Sequence, residues 1–281
     1  MRRWSPRRRW CRSLRKPNDL ANVTARCLIF GLGYSASRIA RALEAQGWEV
    51  VSTGRSGTLR FEDAGNVRLA LAEASHLLSS VPPDGTGADP VLESYGADIA
   101  GKHLIYLSST GVYGDTGGAW VDESAPTGHG RRTARAEADA AWLARGARVL
   151  RLPGIYGPGR SALDRVRAGQ ARRIDLPDQV FSRVHVDDIV SGALAALDAP
   201  SGAYNLADDL PCSQNAVIEH ACHLLGVSPP PLQSLDDAGL SPMARAFYAE
   251  NRRVANGKAK RVLGWSLRYP TYREGLAVVT G

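Results

Sequence analysis

A glycine-rich turn between an apolar run and a helix-like segment constrains the fold of this chain most strongly. Residues 27–36 read CLIFGLGYSA, with the spacing G-x-G-x-x-A. Gly31 suits a tight turn, Gly33 leaves room for a pyrophosphate, and Ala36 stands where close helix–strand packing tolerates a methyl group. The pattern predicts a dinucleotide-binding turn, with phosphates at the amino end of the helix. The cofactor-binding residues predicted here are Gly31, Gly33, Tyr34, Ser35 and Ala36. The alternative is a structural glycine turn in another α/β protein.

Apolar runs and helix-period segments alternate along the rest of the chain. The runs interpreted as strands are residues 27–30, 48–53, 76–80, 103–108 and 148–152, with 67–71 as a candidate for a further short strand. Helices are predicted over 36–46 and 133–143. Continuous apolar strands separated by helices indicate a parallel sheet covered on both faces. The predicted fold is therefore a doubly wound (Rossmann) α/β sheet, whose ligands lie at the carboxyl ends of its strands.

The chain is expected to have three parts. Residues 1–25 form a basic extension, expected to be disordered or absent from the native protein. Residues 26–158 and 180–208 form the NAD(P)-binding sheet domain. Residues 159–179 and 209–281 form a small, mainly helical substrate-binding region, with helices predicted over 213–225 and 242–255.

The net charge of +7 belongs to the first residues of the chain. Residues 1–16 hold eight of the 35 Lys and Arg, which leaves 27 basic against 28 acidic residues elsewhere. A nucleic-acid partner is therefore not expected. No stretch approaches the ~18 apolar residues of a membrane span, so no membrane partner is expected either. The extension is a poor secretory signal. It leaves open a transit peptide or a later translation start, for which Val23 is a candidate.

The four cysteines are too scattered for a disulfide framework, so a reducing, cytoplasmic setting is expected. Residues 52–56, at the end of the second predicted strand, read STGRS and contain no carboxylate to accept hydrogen bonds from an NAD ribose. Arg55 could instead hold a 2′-phosphate through its forked guanidinium. NADP is therefore favoured over NAD, and the alternative is a solvated surface arginine.

Three later segments complete the pattern. Residues 107–114 read LSSTGVYG, residues 150–160 read LRLPGIYGPGR, and residues 183–188 read RVHVDD. Together with the glycine turn they resemble the extended short-chain dehydrogenase/reductase superfamily, the NAD(P)-dependent epimerase/dehydratase group, and most closely its short atypical members. The resemblance covers the chain from about Arg26 to the end. It implies an NAD(P)-dependent oxidoreductase or epimerase-like enzyme acting on a carbonyl or sugar-nucleotide-like small molecule.

The resemblance assigns Ser109 to the hydroxyl that binds the reacting oxygen. The superfamily's proton donor is a Tyr four residues before a Lys, but those positions fall on His129 and Thr133 here. None of the lysines (Lys16, Lys102, Lys258 and Lys260) follows a tyrosine by four, so this dyad is absent. His129 is a candidate acid/base, and Tyr113, Tyr106 and Tyr156 are other possible donors. Positive charge could come from Arg131, Arg132 and Arg135. The alternative is a loop histidine beside a solvated arginine face.

The resemblance also implies cofactor contacts from two segments that follow strands, namely Ser79, Ser80 and Val81, and Pro153, Gly154 and Ile155. Arg160 and Arg183 are candidates for binding an anionic substrate group, although each could equally form an ion pair.

No metal site is expected. Asp187 and Asp188 are interpreted as helix caps, and the Cys and His residues at 212–223 lack zinc-site spacing.

The absent dyad leaves two hypotheses open. The first is an NADP-dependent enzyme, and the second is a catalytically degenerate NADP(H)-binding sensor or scaffold. A monomer or a homodimer is expected in either case.

Overall fold

The computed structural model describes residues 25–130 and 133–279, and at its centre lies a six-stranded parallel sheet. Its strands are β1 (Arg26–Phe30), β2 (Glu49–Ser52), β3 (His76–Ser79), β4 (His103–Ser109), β5 (Arg148–Leu152) and β6 (Gly202–Asn205). They lie side by side in the order β2-β1-β3-β4-β5-β6. The predicted doubly wound α/β fold is confirmed.

Helices cover both faces of this sheet, which is why its strands are apolar without interruption. Consecutive residues of β1 point to opposite faces: Ile29 packs with Ile39 and Leu43 on one side, and Phe30 packs with Tyr95 on the other. Both clusters are almost fully buried.

Ten α-helices and one 3₁₀ turn are found among the described residues. The helices are α1 (Tyr34–Ala45), α2 (Ala64–Glu73), α3 (Pro90–Tyr95), α4 (Thr133–Ala144), α5 (Ala162–Arg167), α6 (Val186–Ala195), α7 (Gln214–Leu225), α8 (Pro242–Phe247), α9 (Gly257–Val262) and α10 (Tyr272–Ala277). The 3₁₀ turn is Thr110–Tyr113. Short strands outside the sheet are Trp120–Val121, Gly154–Tyr156, Arg173–Ile174, Arg183–His185, Leu232–Gln233 and Arg253–Val254.

The candidate strand at residues 67–71 is wrong, because this segment belongs to helix α2. The Asp63 side chain accepts a hydrogen bond from the Asn66 amide and caps the helix. Val67 and Leu71 then lie one turn apart, and both are buried against the sheet. The apolar residues are spaced as on one face of a helix, but the run is too short for its pattern to distinguish a helix from a strand.

Because no strand follows in this segment, β2 ends the sheet, and the chain after β2 folds back along it. The Leu59 amide donates to the Ser52 carbonyl at 3.0 Å, and Thr58 Oγ1 accepts from the Ser52 amide at 3.0 Å. The turn that carries Arg55 therefore supplies hydrogen-bond partners for the backbone of Ser52 at the outer edge of β2.

Two other expectations need correction. The helix predicted over 242–255 ends at Phe247, because the chain then becomes extended and Arg253–Val254 pairs with Trp120–Val121. Strand β6 was not predicted, since its four residues offer only a short apolar run.

Helices α5, α7 and α10 form a separate small core around Leu163, Val217 and Leu276. These helices come from the two segments predicted to form the substrate-binding region, and the exact division into domains stays a prediction. The predictions for the basic extension, including Val23, fall on residues outside the described ranges. None of the helices described is long and apolar enough to cross a membrane.

Candidate cofactor and active site

The glycine turn lies where the strand order reverses between β1 and β3, the usual ligand position in a doubly wound sheet. Gly31 has φ of +81°, which favours glycine, and Gly33 is the N-cap of α1. The first intrahelical bond runs from the Ser37 amide to the Gly33 carbonyl at 2.9 Å. The amides of Tyr34, Ser35 and Ala36 precede that bond, so they remain available for an anion.

The two glycines differ in what surrounds them. A Cβ on Gly31 would meet Ser80 Oγ and Val81 Cγ2 at 3.0 Å, whereas a Cβ on Gly33 would meet no atom within 4 Å. The space beside Gly33 is thus an open cradle at a helix amino end, and the first turn of α1 carries no acidic side chain. This arrangement fits a pyrophosphate.

A cleft of about 600 Å³ extends from this turn across the carboxyl ends of the strands. Ten of the predicted site residues line it: Gly33, Tyr34, Ser35, Ala36, Ser80, Ser109, Pro153, Gly154, Ile155 and Arg160. The structure therefore brings together segments that are more than a hundred residues apart in the chain.

Four predicted cofactor residues do not line the cleft, namely Gly31, Ser79, Val81 and Arg55. Ser80 Oγ donates to the Gly31 carbonyl, which ties Gly31 behind the cleft wall. The Ser79 side chain is fully buried, and Val81 packs against the apolar cluster of Phe30 and Tyr95. Direct contacts from Ser79 and Val81 are therefore not supported by the structure.

Arg55 lies outside the cleft, in the exposed turn just after β2. Its position at the carboxyl end of the strand next to β1 is where a doubly wound fold places the adenosine ribose. Arg55 therefore lies where the adenosine end of a dinucleotide is expected. Its side chain is exposed and does not pack against the sheet.

Ser109 ends β4 and faces the cleft. Its Oγ accepts a hydrogen bond from the Gly111 amide at 3.1 Å, so the hydroxyl hydrogen remains available to donate into the cleft. The neighbouring Ser108 Oγ instead donates to Asp139 Oδ2 at 2.6 Å. Of the two serines, Ser109 has the geometry of a substrate-binding hydroxyl.

A buried polar network lies beneath Ser109. Arg151 makes a two-point ion pair with Asp139, with Nη2–Oδ1 at 2.7 Å and Nε–Oδ2 at 3.1 Å. The two residues are only 3% and 1% exposed. The sequence feature that could have predicted this ion pair is the arginine within the apolar strand RVLRL, because a buried guanidinium requires an acidic partner.

Tyr113 belongs to this network rather than to the cleft. Its hydroxyl donates to Asn205 Oδ1 at 2.8 Å and accepts from Arg151 Nη1 at 3.0 Å. Burial raises the pKa of Tyr113, although the nearby Arg151 opposes the change. The prediction of Tyr113 as a proton donor is therefore not supported, because its hydroxyl is buried and engaged away from the cleft.

His129 is exposed in the loop before α4 and does not line the cleft, so this placement does not support it as an acid/base. Arg131 and Arg132 fall outside the described residues. Arg135 does line the cleft, and its Nη1 donates to the Tyr106 hydroxyl at 3.0 Å. Burial raises the pKa of Tyr106 to about 12, which keeps this phenol protonated.

The two arginines predicted to bind substrate have different environments. Arg160 is exposed at the cleft, with its guanidinium 5.6 Å from the centroid of the Tyr34 ring. Arg183 is 5% exposed and contacts Cys212 Sγ at 2.9 Å and the Cys212 carbonyl at 3.3 Å. This burial does not support a substrate-binding role for Arg183, which stays a prediction. Its guanidinium instead lies near Asp208, whose pKa burial raises to about 7 and Arg183 lowers.

The wall opposite the cofactor turn was not predicted. Phe181 and Phe247 stack with centroids 4.6 Å apart, and Arg252 Nη1 pairs with Glu250 Oε2 at 2.9 Å. All four line the cleft, although none belongs to a recognisable motif. This wall combines apolar aromatic surface with fixed charge.

The Asp187–Asp188 pair does not cap α6 as interpreted. The cap is His185, whose Nδ1 accepts from the Asp187 amide at 3.2 Å. The Asp188 carboxylate accepts from the amides of Arg268 at 2.6 Å and Tyr269 at 3.2 Å. Asp188 thereby fixes the segment after α9 against the sheet domain.

Comparison with known proteins shows which solved structures share this fold. No protein-family model matches the chain. MoeE5, solved with UDP-glucose and NAD, is 21% identical with a TM-score of 0.72, over 90% of this chain and 96% of that one. The human epimerase family protein SDR39U1, solved with NADPH, is 18% identical with a TM-score of 0.72, over 90% and 98%. At these identities the likenesses show that the chain shares the fold of these proteins, as the sequence resemblance predicted.

Two proteins that are more similar in sequence have names that state no activity. A functionally unknown conserved protein from Silicibacter pomeroyi DSS is 40% identical with a TM-score of 0.81, over 92% of this chain and 98% of that one. The chain belongs to the same family as that protein. Protein YeeZ of Escherichia coli K12 is 29% identical over 86% of this chain and 95% of its own length.

Proposed function

We propose that the protein is an NADP(H)-dependent oxidoreductase or epimerase-like enzyme acting on a carbonyl or sugar-nucleotide-like small molecule. The observation that carries this proposal is the continuous cleft joining the Gly33 cradle to Ser109. A nicotinamide cofactor, when bound, supplies hydride transfer. The amides that follow Gly33 would hold its pyrophosphate, and Pro153, Gly154 and Ile155 would lie beside the nicotinamide.

The residues of the chain would then act on the substrate oxygen. Ser109 donates a hydrogen bond to that oxygen and stabilises the negative charge that develops on it. Arg135 adds positive charge to the lining of the cleft. Since the described cleft residues include no Tyr–Lys dyad, a water at the cleft mouth would supply the proton. Phe181 and Phe247 limit the access of further water.

We expect Ser109→Ala to lower kcat about 10²- to 10³-fold, because a hydrogen bond to developing charge is lost. The measurement is NADPH oxidation across a panel of aldehydes, ketones and sugar nucleotides. Ser109→Thr keeps the hydroxyl and serves as the matched variant, with NADPH affinity within about twofold for both. Unchanged turnover in Ser109→Ala would show that Ser109 does not act on the substrate.

A second candidate function is a cofactor-binding sensor or scaffold without catalysis. It is favoured by the absent Tyr–Lys dyad and by the exposed position of His129 outside the cleft. Tight NADPH binding without turnover across the whole panel would support this candidate against the enzyme.

The preference for NADP depends on Arg55. We expect Arg55→Ala to weaken NADPH binding about 10- to 100-fold and to leave NADH binding unchanged, because only NADPH carries the 2′-phosphate. Titration of both cofactors, followed by fluorescence, measures the effect. Arg41→Ala, on the exposed side of α1, is the control. Equal affinity of the native protein for NADH and NADPH would contradict the preference.

We also propose a cytoplasmic location and a monomer or homodimer that takes a small-molecule substrate. The location is supported by Cys27, Cys212 and Cys222, which are free thiols.

A further inference from the structure

A group of metal-ligating side chains lies at the amino ends of β3 and β4, opposite the cofactor cleft. His76 and His103 begin these two strands and face each other in the parallel register, and Asp198 follows α6. Ligand atoms of all three lie within 4.8 Å of one another. Because the three residues are far apart in the sequence, no motif spacing could have revealed the group.

The distances fit a small divalent cation. His76 Nε2 lies 3.5 Å from Asp198 Oδ1, and His103 Nδ1 lies 3.3 Å from the same oxygen. Tetrahedral zinc with bonds of about 2.0–2.2 Å separates its ligand atoms by about 3.3–3.6 Å. The two ligand–ligand separations are therefore those of a tetrahedral site.

The polar atoms of the group provide an independent argument. His76 Nδ1 contacts Ser75 Oγ at 2.9 Å, which leaves Nε2 as the ring nitrogen that faces Asp198. It has no hydrogen-bond partner among the described residues, and the side chain is only 9% exposed.

His103 Nδ1 is likewise a buried atom without a hydrogen-bond partner among the described residues. Two such imidazole nitrogens facing one carboxylate can share it by binding the same metal ion, and the Ser75 contact is the kind of outer hydrogen bond that orients a ligating histidine.

We propose that His76, His103 and Asp198 bind a divalent transition metal of the zinc class, with water completing the coordination. Two imidazoles and one carboxylate suit zinc, cobalt or nickel better than calcium or magnesium. The rings of His76 and His103 are nearly parallel, with centroids 4.4 Å apart. The His103 ring is half-exposed and Asp198 is exposed, so both side chains are free to reorient toward an ion.

The bound ion would join the amino ends of two central strands to the end of α6, far from the cofactor. Its role is therefore structural, and it can be tested without an activity assay. Arg148 Nε donates to the Ala199 carbonyl, so a positive charge lies close to the site. We expect micromolar rather than tighter affinity, because the site has three protein ligands and this nearby cation.

The test is calorimetric titration of the tag-free, chelator-treated full chain with zinc chloride at pH 7.5. We expect one ion per chain and a rise in Tm of about 5 °C at saturating zinc. The visible spectrum of the cobalt-loaded protein should be that of a four-coordinate site. Asp198→Ala and His103→Ala, both at exposed positions, should each weaken zinc binding at least about tenfold.

His223→Ala is the matched control, since His223 is exposed on α7 and lies outside the group. It should leave zinc affinity unchanged. The proposal is overturned if zinc does not bind, if Asp198→Ala and His103→Ala bind it like the native chain, or if His223→Ala loses as much affinity as they do. Circular dichroism of each variant before titration establishes that the variant is folded.

Discussion

Gly33→Val should weaken NADPH binding about 10²- to 10⁴-fold while leaving the stability of the protein unchanged. The pyrophosphate is proposed to accept two or more hydrogen bonds from the amides after Gly33, each contributing about 1.5–3 kcal/mol. A valine side chain would fill the open cradle beside these amides and prevent the phosphates from reaching them. The readouts are the Kd for NADPH and the Tm of the cofactor-free protein.

The same geometry explains why the fold should tolerate the change. Gly33 has φ of −86° and ψ of −167°, an extended conformation that a β-branched residue adopts readily. Gly65→Val, in the first turn of α2 and away from the cleft, is the matched control, and it should bind NADPH normally. If Gly33→Val keeps native affinity, the pyrophosphate does not pass over Gly33, and the cofactor site is wrongly placed.

Asp139→Ala should lower the free energy of unfolding by about 3–5 kcal/mol, because it leaves the Arg151 guanidinium buried without its counter-charge. The substitution also removes the acceptor of the Ser108 hydroxyl. Denaturant unfolding monitored by circular dichroism measures the loss. A change below about 1 kcal/mol would show that Arg151 finds another partner or water.

Two further variants separate charge burial from simple loss of contact. Asp98→Ala breaks the Arg68–Asp98 ion pair, whose side chains are 53% and 35% exposed, and should cost at most about 1 kcal/mol. The double variant Asp139→Leu/Arg151→Met removes both buried charges and should recover much of the stability lost in Asp139→Ala. If the double variant is the less stable of the two, the network contributes through its hydrogen bonds rather than through charge balance.

The sequence predicts the half of the site that depends on local backbone geometry. Neighbouring residues specify each segment of this part of the site, so motif spacing locates them. The segments are the turn at Gly31 and Gly33, the strand ends at Ser80 and Ser109, and the residues after Leu152. Each also lies at the carboxyl end of a strand, where the fold itself directs the backbone to the cleft.

The other half depends on tertiary packing, which no local pattern records. Arg183 and Tyr113 have residue types suited to an active site, but their neighbours in three dimensions, Cys212 and Arg151, engage them in the interior. Phe181 and Phe247 form one wall although 66 positions separate them in the chain. The His76–His103–Asp198 group arises in the same way, from strand register and the end of a helix.

The turn that follows β2 has two tasks, and this limits how cofactor preference could evolve or be engineered. It carries Arg55, the proposed contact of the 2′-phosphate, and through Thr58 and Leu59 it also satisfies the amide and carbonyl of Ser52 at the edge of the sheet. Exposed strand edges recruit strands from other molecules and promote aggregation. Replacing Arg55 alone should be tolerated, whereas lengthening or grafting the whole loop would uncover the edge. A change of cofactor in this family is therefore best achieved by side-chain substitution within a loop of fixed length.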